Sequence, residues 1–168
     1  MGAIYKRELK SYFTGMIGYA FIAAVLLFIG IYTTAYNLKY MYPMFEYVID
    51  SSTILYVIVV PILTMRVLAE ERRQKTDQLI YSLPLRLTDV VLGKYLAMVT
   101  LLAIPMAVIS LYPLLLSRYG ALSLGTAYSA IVGFFLLGCC LIAIGLFMSS
   151  VTDSQLIAAV ASFAALIL

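Results

Sequence analysis

The stretch Arg66–Lys94, RVLAEERRQKTDQLIYSLPLRLTDVVLGK, decides how this chain is read. Arg66, Glu70, Glu71, Arg72, Arg73, Lys75, Asp77, Arg86, Asp89 and Lys94 are ten of its nineteen charged residues, and nearly everything on either side is apolar. A soluble domain carries about 25% charged residues. Here the charged share is 11% against 64% hydrophobic, with a mean hydropathy of +1.05. Such a chain cannot be dissolved in water as a monomer with a polar coat. The stretch is therefore expected to be a cytosolic loop between two membrane spans, placed to meet a soluble partner.

Working outward, charge-free runs define the spans. A helix needs about 20 apolar residues to cross the hydrocarbon. Ser11–Leu38 is uncharged and holds a first span at roughly Ile17–Tyr36. Ser51–Met65 is only fifteen residues, so the second span is expected to start near Tyr47, with Asp50 at headgroup level. Pro61 lies inside it and should bend or loosen the helix. The third span runs uncharged from Tyr95 to Ser117, with Thr88 as a candidate cap and Pro105 and Pro113 as interruptions. After Arg118, the run Tyr119–Thr152 gives a fourth span at Ala127–Met148, preceded by a turn-like Gly120, Ser123, Gly125 and Thr126. Gly138, Gly145 and Ser149 share one face of that helix, a stripe on which another helix can approach closely. A fifth apolar run, Ser154–Leu168, ends without a basic flank, so the last span is expected to be incomplete. The fold class is thus an all-α, polytopic helical membrane protein, a single transmembrane domain over residues 1–168.

Three smaller features complete the pattern. In residues 4–14, Tyr5, Leu9, Tyr12 and the following Met16 recur at helical spacing while Lys6, Arg7 and Lys10 point elsewhere, which predicts an amphipathic helix lying on anionic headgroups. Tyr36, Tyr40, Tyr42 and Tyr47 cluster where a membrane–water boundary is expected, and lining a substrate exit is the alternative use of such a cluster. Counting Lys and Arg with the N-terminus in the cytosol puts Lys6, Arg7, Lys10, Arg66, Arg72, Arg73, Lys75, Arg86 and Lys94 inside, and only Lys39 and Arg118 outside, the positive-inside arrangement.

The chemistry available is narrow. Histidine is absent, which removes Ser-His and Cys-His catalysis and histidine metal sites together. Cys139 and Cys140 sit adjacent in an apolar run and read as small core residues. No span core is expected to hold an ionisable side chain, which disfavours an intramembrane enzyme. No basic run interleaved with aromatics suggests nucleic acid. Within the loop, Glu71 and Lys75 form the favoured i,i+4 order, worth about 0.2–0.5 kcal/mol on a helix. Pro84 should stop such a helix near Ser82. A purely solvated loop would show the same local features.

The segment AEERRQKTDQLIYSLP, Ala69–Pro84, resembles the stretch after the second span in permeases of the ABC-2 type. RELKSYFTGMIGYAF, Arg7–Phe21, resembles the opening of that family, notably its gliding-motility-like branch. LGKYLA, Leu92–Ala97, and GLFMSSVTDSQLIAAV, Gly145–Val160, are similar too. Lys75, where the family often has glycine before Thr76, and Asp77, where an apolar residue is common, depart from the pattern. The resemblance implies a type V exporter-like permease of six spans, about five of them present. It would pair with a second permease, the same or different, and with two ABC ATP-binding subunits in the inner (plasma) membrane. Residues 4–14 would be an interfacial connecting helix. Residues 68–84 would hold the coupling helix, with Glu70, Glu71, Arg72, Arg73, Lys75, Thr76, Ser82 and Pro84 as coupling residues. ATP and Mg would be bound in the partner subunit, in keeping with the lack of a GxxxxGK[ST] phosphate loop here, and the permease itself would be neither an enzyme nor a cofactor binder. A non-transporting membrane scaffold is the alternative. The substrate is not legible.

Overall fold

The computed structural model describes residues 2–39, 45–64, 87–118, 123–151 and 155–167. Among them the chain forms α1 (Gly2–Thr14), α2 (Met16–Thr33) with a widened π turn over Thr34–Lys39, α3 (Glu46–Thr64), α4 (Leu87–Ile109), α5 (Leu111–Leu116), α6 (Leu124–Val151) and α7 (Gln155–Ile167). Helices are what such a sequence must form if lipid surrounds it. Hydrocarbon offers no partner for a backbone N–H or C=O, and a helix satisfies both internally.

Among the described residues, four stretches are long and apolar enough to cross a membrane: Met16–Asn37, Glu46–Thr64, Thr88–Leu116 and Leu124–Val151. Each matches an expected span, with small differences that have local causes. α4 starts at Leu87, so Thr88 lies inside its first turn and does not cap it. α6 starts at Leu124, with Gly125 and Thr126 already helical; the Ser123 carbonyl accepts the Ala127 N–H at 3.2 Å, opening the helix three residues earlier than expected. The fifth apolar run forms a helix of 13 residues, Gln155–Ile167, about 20 Å long at 1.5 Å per residue.

The prolines behave unequally. Pro61 and Pro105 sit inside α3 and α4 without ending them, so Pro105 does not interrupt the third span. Pro113 does. A proline clashes with the carbonyl four residues back and cannot bond it, and that residue is Ile109, the last of α4. The chain turns at Ser110, whose N–H still reaches the Met106 carbonyl at 2.9 Å, before α5 resumes.

The buried faces are narrow stripes. On α2, Gly18, Phe21, Val25, Ile29 and Thr33 are buried at spacings of three and four. On α6, Ala127, Ile131, Phe134, Gly138, Ile142, Gly145 and Ser149 continue one such stripe over six turns. The opposite faces stay apolar: Leu27 and Ile31 on α2, Ile54, Ile58 and Ile62 on α3, and Val132 and Leu136 on α6 are all exposed. A helix that is greasy on both faces suits a bundle in lipid. Cys139 is half-buried but Cys140 is exposed, so Cys140 is not the core residue expected: the stripe through Gly138 and Ile142 leaves it on the outer face.

α3 and α6 pack most extensively, and the small-residue stripe is the reason. A Cβ on Gly138 would lie 2.6 Å from Leu102 Cδ2 and 3.1 Å from the Tyr56 ring; a Cβ on Gly145 would lie 2.5 to 2.9 Å from three atoms of Thr64. Lipid tails are as apolar as leucine, so close van der Waals approach, not water exclusion, drives such association. Tyr56 adds a stacked contact on Phe134, centroids 4.1 Å apart and planes 16° apart, an arrangement worth about 0.5–1.5 kcal/mol. The contacts also fix levels. Gly138 meets Tyr56 and Gly145 meets Thr64, so α3 and α6 run parallel. Gly138 meets Leu102 while Tyr128 reaches Ser110, so α4 runs antiparallel to both.

Alanine at Gly145 collides with the β-carbon region of a buried Thr64, which cannot swing away. At Gly138 the nearest atom is the flexible end of a leucine, and at Gly133 nothing lies within 4 Å. Thermal unfolding in detergent should therefore rank the three: Gly145→Ala loses about 1–3 kcal/mol, Gly138→Ala less, and Gly133→Ala nothing. Tyr56→Phe removes a buried hydroxyl that has no partner among the described residues. Leaving such a group unpaired costs about 1–3 kcal/mol, so the phenylalanine variant should unfold at the same or a higher temperature, and a lower one would show that the hydroxyl is satisfied.

Candidate functional site

α1 makes the charged end of the bundle. It leaves α2 at Gly15 and folds back against α4 and α2. Met16 accordingly starts α2 and is 88% exposed, so it does not extend the apolar face of α1 as its spacing suggested. Tyr5, Leu9 and Tyr12 are half-buried, whereas Lys6, Arg7 and Lys10 are exposed. The helix is amphipathic as expected, with its basic face away from the bundle.

Three contacts seat α1 on α4. A Cβ on Gly93 would lie 3.2 Å from Ile4 Cγ2, so the two helices touch with only a glycine between them. The Tyr5 and Thr100 hydroxyls are hydrogen-bonded at 3.0 Å. Between these, the Lys94 ammonium donates to Glu8 Oε1 at 3.3 Å, with side-chain exposures of 1% and 13%. The Arg7 guanidinium approaches the same carboxylate at 3.9 Å but is 65% exposed, and an exposed pair of that kind contributes little. The Lys94 pair is different. A buried charge is tolerated only with a partner, and removing one member of such a pair costs about 3–5 kcal/mol.

Length explains why the charge is buried there. α4 alone has 23 residues, about 34 Å of helix, already a little more than the roughly 30 Å of hydrocarbon. The excess at the Leu87 end lies beside α1, which covers it. Lys94 was expected among the loop charges. It lies instead in the second turn of α4, and α1 supplies the carboxylate that makes this position tenable. Glu8, the lone acid among Lys6, Arg7 and Lys10, escaped notice in the sequence; an isolated acid in a basic helix and an isolated lysine at the head of a span were the signals that could have joined them.

The roots of the segment 65–86 sit at this same end. Thr64, the last residue of α3, is buried against Gly145 of α6, and Val91, Leu92 and Tyr95 of α4 face Ala143, Leu146 and Phe147 of α6 across one groove. Thr64 and the first turns of α4 are thus level with each other. The expected coupling residues Glu70, Glu71, Arg72, Arg73, Lys75, Thr76, Ser82 and Pro84 lie outside the described residues, as do Tyr40 and Tyr42.

The opposite end is tyrosine-rich and carries the acids Glu46 and Asp50 of α3. Tyr32 stacks on Tyr36 with centroids 6.0 Å apart. Glu46, Tyr47, Asp50 and Thr53 of α3 line a mainly apolar groove of about 480 Å³ with Gly133, Phe134 and Leu137 of α6. Asp50 is exposed, consistent with a place at headgroup level.

The bundle, its charged end and its glycine seam meet a matching family pattern. The model of the ABC-2 family transporter protein matches residues 39–168, from the end of α2 through α7. No curated protein and no solved structure matches the chain. With a match over more than half its length and four membrane-capable helices, the chain is a membrane protein and belongs to the ABC-2 family of transporter proteins.

Proposed function

We propose that this chain is the transmembrane permease subunit of an ATP-driven export complex in the inner membrane, with its N-terminus in the cytosol. A second permease, identical or different, would complete the conduit. Separate ABC ATP-binding subunits would bind ATP and Mg and grip residues 68–84, the coupling helix in this reading. α1 would be the connecting helix, its Lys6, Arg7 and Lys10 face on anionic headgroups.

One observation carries the reading. Thr64 and Leu87, the two roots of the segment 65–86, lie at the end of the bundle where α1 packs, while Lys39 and Arg118 lie at the other. Nine of the eleven basic residues, Lys6, Arg7, Lys10, Arg66, Arg72, Arg73, Lys75, Arg86 and Lys94, therefore belong to one end, either on its helices or on the segment tethered to it at both roots. That asymmetry supports a cytosolic placement of this end, which would leave the densest run of charge in the sequence facing the compartment that holds ATP. An ATPase that binds this surface can bias the spans only by its differential affinity for their two arrangements. About 5.5 kcal/mol moves a population from 1:99 to 99:1, which several charge-assisted contacts can supply.

Arg72→Glu with Arg73→Glu should leave insertion intact and abolish or sharply lower coupled ATPase in the complex purified from native membrane; full coupled activity would refute docking through this segment. Should no ATP-binding subunit co-purify with the unmodified chain, the scaffold reading takes its place. Lys6→Gln, Arg7→Gln and Lys10→Gln together should remove the dependence of that ATPase on anionic lipid in nanodiscs, since each basic residue near a charged surface is worth about 1 kcal/mol. A dependence equal to that of the parent would separate α1 from the headgroups.

A further inference from the structure

We infer that Glu8 and Lys94 act as positioning residues, clamping α1 to the first turns of α4 so that the two helices move as one rigid piece. Three independent contacts along the same seam support this: Ile4 against Gly93, Glu8 with Lys94 at 3.3 Å, and Tyr5 with Thr100 at 3.0 Å. The ionic member is the one that specifies register most strongly. Apolar side chains can slide past one another in lipid with little loss, because one methyl replaces another. An ammonium that is 1% exposed and paired with Glu8 does not slide freely; drawing it away from that carboxylate costs free energy. Buried ionic groups are best attested in this registry role.

The placement gives the clamp a task. α4 follows directly on the segment 65–86, so a force on that segment reaches Lys94 within the second turn of the helix. The clamp carries it to α1, and α1 continues into α2 through Gly15. The upstream root is held differently, by Thr64 against Gly145 of α6. The two roots thus differ in their tightest contacts, Lys94 on Glu8 of α1 at one and Thr64 on Gly145 of α6 at the other. Displacement of the segment then reaches α1 as well as α4. The clamp itself stands on the geometry alone; its part in transport rests on the export reading above.

The geometry supplies a direct probe. A Cβ on Gly93 would stand 3.4 Å from the Ile4 Cβ, close to the roughly 3.5–4.5 Å that a disulfide spans. In full-length protein in native membranes, with Cys139 and Cys140 replaced by alanine, Ile4→Cys with Gly93→Cys should cross-link on mild oxidation. Lys94→Met, or Glu8→Gln where the first variant fails to accumulate, should slow cross-linking about tenfold or more, as loss of a buried partner demands. The exchange Glu8→Lys with Lys94→Glu should restore it. Cross-linking that is unchanged in the single variants, or unrescued by the exchange, overturns the clamp whether or not the chain transports anything. The oxidised protein should then keep the ATPase activity of the reduced complex, because a rigid piece loses nothing by being stapled. Loss of that activity on oxidation and its recovery on reduction would show that α1 and α4 must part, which overturns the rigid-body claim while leaving the export reading in place.

Discussion

The contact on which the rest of the structure depends is the one between Gly145 and Thr64. A bundle in lipid has no hydrophobic drive to hold its helices together; it has close approach. At Gly145 that approach is so tight that a methyl group would fall 2.5 Å from the threonine hydroxyl oxygen. Seven residues earlier, Gly138 admits the Tyr56 ring in the same way. The buried hydroxyls along the seam mostly turn inward to their own helix: Ser52 donates to Val48 at 2.6 Å and Thr64 to Val60 at 3.0 Å. Ser52 and Thr64 are thereby satisfied without loosening the packing, while the Tyr56 and Ser149 hydroxyls find no partner among the described residues, and α3 and α6 become one slab against which α4 and α7 are laid.

From this slab the charged end follows. α6 sets the level of the last turn of α3, and α4 runs antiparallel beside it with a few residues more than the roughly 20 a span needs. Those extra residues need a cover. α1, basic on one face and apolar on the other, provides it, and Glu8 neutralises Lys94 beneath. The arrangement is economical in ions. Among the described residues the Glu8–Lys94 pair is buried, the basic residues of α1 stay exposed, and the densest run of charge in the sequence belongs to the segment between Thr64 and Leu87.

Much of this was legible in the sequence, for physical reasons. Uncharged runs of twenty or more residues admit few structures but spanning helices, so α2, α4 and α6 fall close to their expected places; α3, with an uncharged run of only fifteen, does so by taking Glu46 and Asp50 into its first turns. The stripe Gly138, Gly145, Ser149 announced a close approach because small residues at helical spacing have no other common use in a span. What the sequence could not tell was the partner. That α3 receives the stripe, and that Tyr56 and Thr64 are the side chains received, depends on tertiary packing. The Glu8–Lys94 pair was hidden for the same reason: 86 residues separate its members, and Lys94 looked like the last charge of a loop when it was the first buried charge of a helix. Pro105 and Pro113 looked alike in sequence, yet only Pro113 ends a helix, which the general rule for proline does not distinguish.

The central claim is that the charged end of the bundle faces the cytosol, where an ATP-binding subunit can reach it. A single cysteine at position 75, in a chain with Cys139 and Cys140 replaced by alanine, tests this with a membrane-impermeant thiol reagent applied to intact spheroplasts and to inverted vesicles. The account predicts modification in the inverted vesicles alone. Modification in intact spheroplasts would place the segment outside the cell and contradict it.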